Sequence, residues 1–504
     1  MKDGDNFPDA VSGVVSGAVA RTMTTFVVAV ASMIVMALAG CVSPGGITSK
    51  AVLASPAAVG ADGAATAAPI AADWWRGFDD PVLGDLIARA TAGNPSLRVA
   101  VARAERATAN AAFADANRGP QLGGQLDASR QLFSENSFYP PPLAGSQRWT
   151  ATAQLNGSWE LDFFGRNRAV LESAIGVERA SIADADAARV LLAVNVARTY
   201  VQLARAVEQR AVLERALGQR EEVFALTRQR VSAGLDTAVE LRQSEGTRFE
   251  TKQQIEAVAE QVELARHALA ALLAEPPQRF ETLAPILSTL RPITIPESVP
   301  IDLVGRRADI VAARWRVEAA TGDVAAQRAQ FYPNVNLVAF AGFASLGLDR
   351  LLRSSSEQWG VGPAVRLPIF DAGRLRAGLR GRNADLDAAV ETYNGTLVDA
   401  VRDVADQISS TRSVERQQRE QAAAQESAEA AYDLATQRYR AGIGGYITVL
   451  NAETNVIAQR RLTTELRARA IDSQVLLVRS LGGGYAAPDE ARALASAGSV
   501  AAAR

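Results

Sequence analysis

A chain of 504 residues is long enough for two or three ordinary domains. Its formal net charge of −2 leaves no basic excess to neutralise phosphates, which argues against nucleic acid as a partner. One cysteine, Cys41, and one histidine, His267, cannot form an intrachain disulfide, a Cys/His metal cluster or a Cys–His nucleophilic pair.

The first element is a processing segment. Arg21 precedes an apolar run from Phe26 to Leu38, too short to span a bilayer comfortably and suited to a signal h-region. The run closes in Leu38-Ala39-Gly40-Cys41, which resembles the lipobox of bacterial lipoproteins, with the Cys41 thiol as the group to be acylated. A stray cysteine after an ordinary signal peptide is the alternative. Val42, rather than an aspartate, follows it, and by resemblance to lipoprotein sorting this favours the outer membrane. Residues 43–72 are rich in Ala, Gly, Pro and Ser and read as a flexible tether. No later segment reads as a transmembrane helix, so any crossing must be made by strands.

From there the chain is written twice. Gly165-Arg166 matches Gly373-Arg374, Arg230-Val231-Ser232-Ala233-Gly234-Leu235 matches Arg438-Tyr439-Arg440-Ala441-Gly442-Ile443, and Glu245 matches Glu453, all at an offset of 208. Pro120 matches Pro333 at 213, so a loop has grown between Pro120 and Gly165. Such self-similarity marks a duplicated unit. The first unit predicts a helix from Pro95 to Arg118, strands over 121–129 and 149–161, a long helix from Gly165 to Val231, a turn at Ala233-Gly234, and a helix from Asp236 to Ala274. The second predicts a helix over 308–331, strands from 334–340 to Phe370, and helices over 373–441 and 447–481.

Residues 149–161 alternate strictly. Trp149, Ala151, Ala153, Leu155, Gly157, Trp159 and Leu161 share one face, and Thr, Gln, Asn, Ser and Glu fill the other. Trp149 and Trp159 bracket a stretch whose height, at about 3.3 Å per residue and roughly 45° of tilt, is about 23 Å, close to the apolar band of an outer-membrane barrel. Their indoles suit the two interfaces, as does Trp359, which shares a face with Val361, Val365, Leu367 and Ile369. Pro363 would interrupt that ladder unless it lies at a bulge or an edge. Four strands cannot close a barrel, for which about eight are needed, so the chain either oligomerises or forms a half-buried soluble sheet. The helix from Gly165 to Val231 would run about 100 Å, nearly the sum of its two short partners at about 58 and 36 Å. Val190, Val194, Ala197, Val201 and Ala204 step by fours and threes, as do Leu397, Val401, Val404 and Ile408, which is the spacing of helix–helix seams. His267 and the dense carboxylates read as solvated helix-face residues. No phosphate loop, nucleophile elbow or zinc motif is present, so the expectation is no enzyme and no cofactor.

These features resemble one family, the TolC-like outer membrane factors of tripartite efflux systems, in its NodT-type lipoprotein branch. The resemblance covers roughly residues 73–483. It is carried by Trp74-Trp75-Arg76-Gly77-Phe78-Asp79-Asp80-Pro81-Val82-Leu83, by Asp302-Leu303 with Arg306-Arg307-Ala308-Asp309-Ile310, by Pro368-Ile369-Phe370-Asp371-Ala372-Gly373-Arg374, and by Leu481-Gly482-Gly483-Gly484. It implies a mainly α fold with a small β part, in which a homotrimer makes a 12-stranded β-barrel in outer-membrane lipid and a 12-helix periplasmic α-barrel. The boundaries expected are a signal peptide over 1–40, an acylated tether over 41–72, repeats over 73–290 and 291–484, and a tail over 485–504. It also implies a passive exit duct docking to a periplasmic adaptor and an inner-membrane pump of the resistance-nodulation-division type. A duct for type I protein secretion and a non-channel structural lipoprotein are the alternatives. The docking residues expected are the tip turns, Arg230, Ala233, Gly234 and Leu235 with Arg438, Ala441, Gly442 and Ile443. The glycines also read simply as helix stops. Ile447, Thr448 and Asn451 are expected at the periplasmic aperture, where the family often carries an acidic ring that Thr448 and Asn451 do not supply.

Overall fold

A computed structural model describes residues 43–55, 70–136, 138–292 and 307–485. The elements in chain order are α1 (Pro81–Gly93), α2 (Pro95–Ala116), β1 (Gln121–Leu132), β2 (Gln147–Leu161), α3 (Arg166–Ser232), α4 (Ala238–Leu273), α5 (Ala308–Ala329), β3 (Asn334–Leu346), β4 (Glu357–Arg366), α6 (Arg374–Arg440) and α7 (Tyr446–Ser480). After the extra α1, the order helix, hairpin, long helix, short helix occurs twice. The expected duplication and the mainly helical class with a small antiparallel sheet are therefore the observed architecture. Each long helix has 67 residues, about 100 Å at 1.5 Å per residue.

The chain divides into two compact units. One contains Thr108–Val177 and Val317–Ala389 with the chain up to Ala51. It holds an antiparallel sheet in the order β1-β2-β3-β4. Its hairpins are joined edge to edge by β2 and β3, with Leu155 opposite Ala341 and Trp159 opposite Leu337. The ladder runs without interruption through Pro363, opposite Leu337, because β4 is an edge strand and can lack a donor on its open side. The strands outrun their expected ends, to Leu132 and Leu346. In this unit α3 and α5 approach so closely that a Cβ on Gly176 would sit 2.8 Å from the Ala319 nitrogen, and one on Gly322 2.8 Å from the Ser173 nitrogen.

Of the expected tether, the same unit contains the described residues 43–51. Residues 43–51 lie on α5 and α6 rather than hanging free. Ile47 is buried with Val324, Phe331, Leu375 and Leu379. The Asp387 carboxylate accepts from the Ser49 hydroxyl (2.5 Å), the Lys50 amide (2.8 Å) and the Ala51 amide (3.0 Å), which holds it below the usual aspartate range, the Ala51 amide bond contributing most. Four apolar or hydrogen-bonding residues within a Gly/Pro/Ala background suffice to dock a segment whose composition reads as a linker.

The second unit contains Val52–Ala107, Glu178–Arg316 and the chain from Val390 on. Its main core gathers Trp74, Phe78, Leu83 and Ile87 against Val194, Ala197, Val201 and Ala204 of α3, with Leu269 of α4 and Val475 of α7. The seam spacing read from the sequence is the buried face of α3. One 18-residue window of α3 has mean hydropathy 1.2, apolar enough by composition for a membrane helix; 56% of it is buried within the protein, so it is a core stripe. The short helices abut end to end as their lengths predicted. Asn94 caps α2 through the Ser96 and Leu97 amides and donates to the Leu272 carbonyl at 2.8 Å, near the end of α4. Helix α7 ends in a run of left-handed glycines, Gly482 to Gly484, where a Cβ on Gly483 would lie 2.2 Å from Val190.

Candidate functional site

In the sheet unit, the register sorts every side chain onto one of two faces. Leu122 and Leu126 of β1, Leu155 and Trp159 of β2, Leu337 and Phe343 of β3, and Val361 and Val365 of β4 share one face. Leu122 and Leu126 are each 76% exposed and Trp359 is 77% exposed, so among the described residues nothing covers these parts of the face. A continuous exposed apolar face across four strands marks a lipid or protein contact. The opposite face carries Gln121, Gln125, Asp127, Thr150, Thr152, Gln154, Asn156 and Asn336. Trp149 and Trp159 remain partly exposed on the apolar face, and the Trp159 indole donates to the Arg118 carbonyl at 3.0 Å. Among the described residues, the outer edges of β1 and β4 have no strand partner.

At the strand-to-helix junctions an aspartate caps each long helix. Asp162 accepts from the Asn167 and Arg168 amides, and Asp371 from those of Gly373 and Leu375. Gly165 (φ 74°), Ala372 (φ 52°) and Gly373 (φ 86°) make the reversal. Around the junction a cavity of about 350 Å³ is lined by Glu160, Arg166, Arg366 and Arg374 together with Phe164 and Tyr332, whose rings stack at 4.9 Å.

In the helical unit, the two tip turns have the same hydrogen-bond pattern. Leu235 donates to the Arg230 carbonyl (2.9 Å) and Gly234 to that of Val231 (3.0 Å); Ile443 donates to Arg438 (3.0 Å) and Gly442 to Tyr439 (3.1 Å). Both are Schellman stops with a left-handed glycine, φ 74° and 78°. Beyond the backbone the copies differ. The Arg230 guanidinium donates to Asp236 (2.8 and 3.2 Å) and to the Tyr439 carbonyl (3.2 Å), and lies 4.6 Å from the centre of the Tyr439 ring. The Tyr439 hydroxyl donates to Asp236 at 2.6 Å and meets the Thr227 hydroxyl at 2.9 Å. Arg230 holds Asp236 below the usual aspartate range; burial pushes the Tyr439 hydroxyl up to about 12, so it stays a donor. The position equivalent to Asp236 is Gly444, and the Arg438 guanidinium is exposed with no partner among the described residues. The repeat singled out Arg230 and Arg438 as a pair; the structure makes one a clamp and leaves the other free. Asp236, Tyr439 and Thr227 were missed because the clamp joins residues of two repeats that have no equivalent in each other.

Beside these turns Ala233, Gly234, Leu235, Ala441, Gly442 and Ile443 are exposed, as are Ile447, Thr448 and Asn451. Ile447 is 55% exposed, and its equivalent in the first repeat, Val239, is 62% exposed. Two residues beyond Asn451, Glu453 is buried and pairs with Arg220 (3.1 Å), which also donates to the Thr251 hydroxyl (2.6 Å). Burial raises the Glu453 carboxyl above its usual value. Its first-repeat match, Glu245, pairs at the surface with Arg242, so the duplicated glutamates have diverged in use.

The remaining motifs are structural. Asp80 caps α1 through the Val82 and Leu83 amides and accepts from the Tyr200 hydroxyl at 2.8 Å, while Trp74 and Phe78 fill the core. Arg307 is buried and forks onto Asp309 (3.1 and 2.7 Å), with Asp403 of α6 3.5 Å away. His267 is exposed. Cys41, with Asp302, Leu303 and Arg306, lies outside the described residues. Among the described residues no cluster of metal-ligating side chains occurs.

The family model for outer membrane efflux proteins matches residues 86–275 and 299–483. The chain is 32% identical over 420 residues to the multidrug resistance outer membrane protein MdtQ of Escherichia coli O157:H7, an alignment covering 82% of this chain and 88% of that protein. It is 39% identical over 318 residues to the fusaric acid resistance protein FusA of Burkholderia cepacia, covering 62% of this chain and 60% of FusA. Among solved structures, the outer membrane protein VceC of Vibrio cholerae matches with TM-score 0.78 at 34% identity over 83% of this chain and all of VceC. The outer-membrane channel OprN matches with TM-score 0.78 at 28% identity over 88% of this chain and 98% of that one.

Proposed function

The chain belongs to the outer membrane efflux protein family and is an outer-membrane exit duct of an efflux system; from that premise we propose that it works as a homotrimeric passive conduit, docked to a periplasmic adaptor and an inner-membrane pump of the resistance-nodulation-division type. The observation that carries this reading is the four-stranded sheet with one apolar and one polar face and two unpaired edges. Such a sheet is stable in lipid only when its edges are satisfied, because an unpaired backbone group costs several kcal/mol in hydrocarbon, on the order of a lost buried hydrogen bond each. Three chains would give twelve strands, with the apolar faces outward to lipid and the polar faces inward around water. A soluble structural lipoprotein has no use for that arrangement.

Acylation of Cys41 would add an anchor to the membrane already crossed by strands. The docked segment that begins at Ser43, where Arg376 of α6 donates to its carbonyl at 2.6 Å, fits an anchor held close to the sheet-bearing unit. The exposed tip residues Leu235, Arg438 and Ile443 suit an adaptor contact, and Ile447, Thr448 and Asn451 an aperture narrowed by apolar packing and polar contacts rather than by a charged ring. The names of the relatives, multidrug and fusaric acid resistance, support small organic molecules as cargo.

The test is the oligomeric state and conductance of the full chain extracted from membranes. Trimers on light scattering, with steps of conductance in a planar bilayer, are expected. A monomer without pore activity would overturn the proposal.

A further inference from the structure

Charge is distributed unevenly over the polar face of the sheet. Along all four strands that face bears two acids, Asp127 and Glu160, and two bases, Arg148 and Arg366. Glu160 is neutralised by Arg166 at 2.6 Å. At the end where β2 begins and β3 finishes, the β3–β4 loop folds back onto the end of the sheet. The Gly347 amide donates to the Trp149 carbonyl (2.7 Å) and the Ser356 hydroxyl to the Arg350 carbonyl (2.8 Å). Arg350 and Arg353 of this loop, with residues 150–152 of β2 and 344–346 of β3, surround a concavity of about 650 Å³. The one acid on that loop, Asp349, lies 3.6 Å from Arg350. Glu135, on the β1–β2 loop, packs at Gly145. At the opposite end Arg366 and Arg374 open onto the junction cavity; each is exposed, and neither guanidinium has a partner among the described residues.

Along this face and at its two ends five arginines, Arg148, Arg350, Arg353, Arg366 and Arg374, therefore stand against Asp127 and the Arg350-paired Asp349, the junction aspartates Asp162 and Asp371 being turned to helix amides, in a chain whose overall charge is −2. We propose that the strand-lined part of the duct is a cationic filter that favours small anions over cations, with Arg350 and Arg353 at one mouth and Arg366 and Arg374 at the other. The inference rests on the conduit reading, in which the polar faces surround water. Charges of one sign on low-dielectric walls focus the field and raise the local concentration of counter-ions. Rings of arginine are how pores select anions, and closure by several copies repeats each residue around the bore.

The experiment is the reversal potential of the reconstituted full chain in a planar bilayer under a potassium chloride gradient. The wild type is expected to pass chloride about two- to threefold better than potassium. The double variant R353Q/R366Q should bring the ratio close to one, and R353E/R366E should invert it. R130Q removes a charge from the apolar face of β1 and should leave the ratio unchanged. A conducting pore that prefers potassium, or whose ratio is insensitive to both double variants, overturns the filter while leaving the conduit intact. A shift with R130Q as large as that with R353Q/R366Q also overturns it, since the polar lining would then not be the determinant. A chain that conducts nothing overturns the conduit reading and this inference together.

Discussion

At the scale of single residues, the clamp at the first tip turn is the group most open to test. The Arg230 and Asp236 side chains are 11% and 9% exposed, and Tyr439 closes the site with a hydroxyl donor. Replacing Asp236 with Asn removes the charge while keeping the shape, and leaves a largely covered guanidinium uncompensated. The cost is about 2–3 kcal/mol. Because the pair bridges the first turn to α6, that cost falls on local opening, so amide exchange over residues 230–240 should quicken by one to two orders of magnitude. The pH dependence has a definite sign. Asp236 is held below the usual aspartate range, first by Arg230, so its contribution is complete above that range and is lost as pH falls through the lowered value. Protease resistance of the turn should hold from neutrality to about pH 4 and fall in stronger acid. Asp236→Asn should be sensitive throughout, and a turn equally resistant in both proteins would show that the clamp carries no stability. The second turn has Gly444 in place of the aspartate, so only its backbone stop is available and no equivalent pH response is expected there.

At the scale of elements, most of the fold was legible because the repeat and the two periodicities report independently. Alternation found β2 and its lipid face; the four-and-three spacing found the buried stripe of α3; the length sum anticipated Asn94 bridging α2 to the end of α4. What escaped notice had a common physical cause, namely short segments fixed by a few tertiary contacts. Helix α1 begins inside a stretch read only as a family motif, although Asp80-Pro81 is an N-cap followed by proline at the first helical position. The segment 43–55 has no periodicity, and its order comes from Asp387, Asn394 and the buried Ile47. The crossing of α3 and α5 was equally hidden, since a glycine within a helix normally signals only a weakness. Here Gly322 faces backbone, with Ser173 nitrogen and Ala169 oxygen 2.8 and 3.0 Å from where a Cβ would stand. Gly322→Ala should therefore cost about 1–3 kcal/mol from overpacking. Gly218, within α3 and with nothing within 4 Å, provides the contrast. Gly218→Ala should gain up to about 1 kcal/mol from helix propensity. Opposite shifts of the thermal midpoint, followed by helical circular dichroism, are expected. Equal shifts would mean that the close approach of the two helices is not maintained in the assembled protein.

At the scale of the whole molecule, the determining fact is that one chain supplies a piece of a surface rather than a closed object. Four strands fall short of a barrel, and the apolar face they present is wide and uncovered. The count was readable in the sequence, and so was the alternation. The joining of the two hairpins through β2 and β3 was not, because their pairing connects residues about 180 positions apart and leaves no local trace. That join places all four apolar faces on one side, and it makes a sharp contrast between adjacent residues of the same strand. Leu155 lies on the apolar face and Asn156 on the polar one. An arginine on a lipid-facing position costs about 2–4 kcal/mol near the bilayer midplane, and less toward the interfaces. If several copies close one barrel, that cost is met once per chain, which for three copies approaches the whole stability of an ordinary folded domain, about 5–15 kcal/mol. An arginine on the water-filled side has no such cost. Leu155→Arg should therefore abolish any oligomer on native gels of outer-membrane fractions, whereas Asn156→Arg, one residue along, should leave the oligomer in place and alter conductance only. The reverse pattern would turn the barrel inside out. Equal loss in both variants would mean that the sheet packs against protein on both faces, and that the edges of β1 and β4 are satisfied by something other than further copies of the chain.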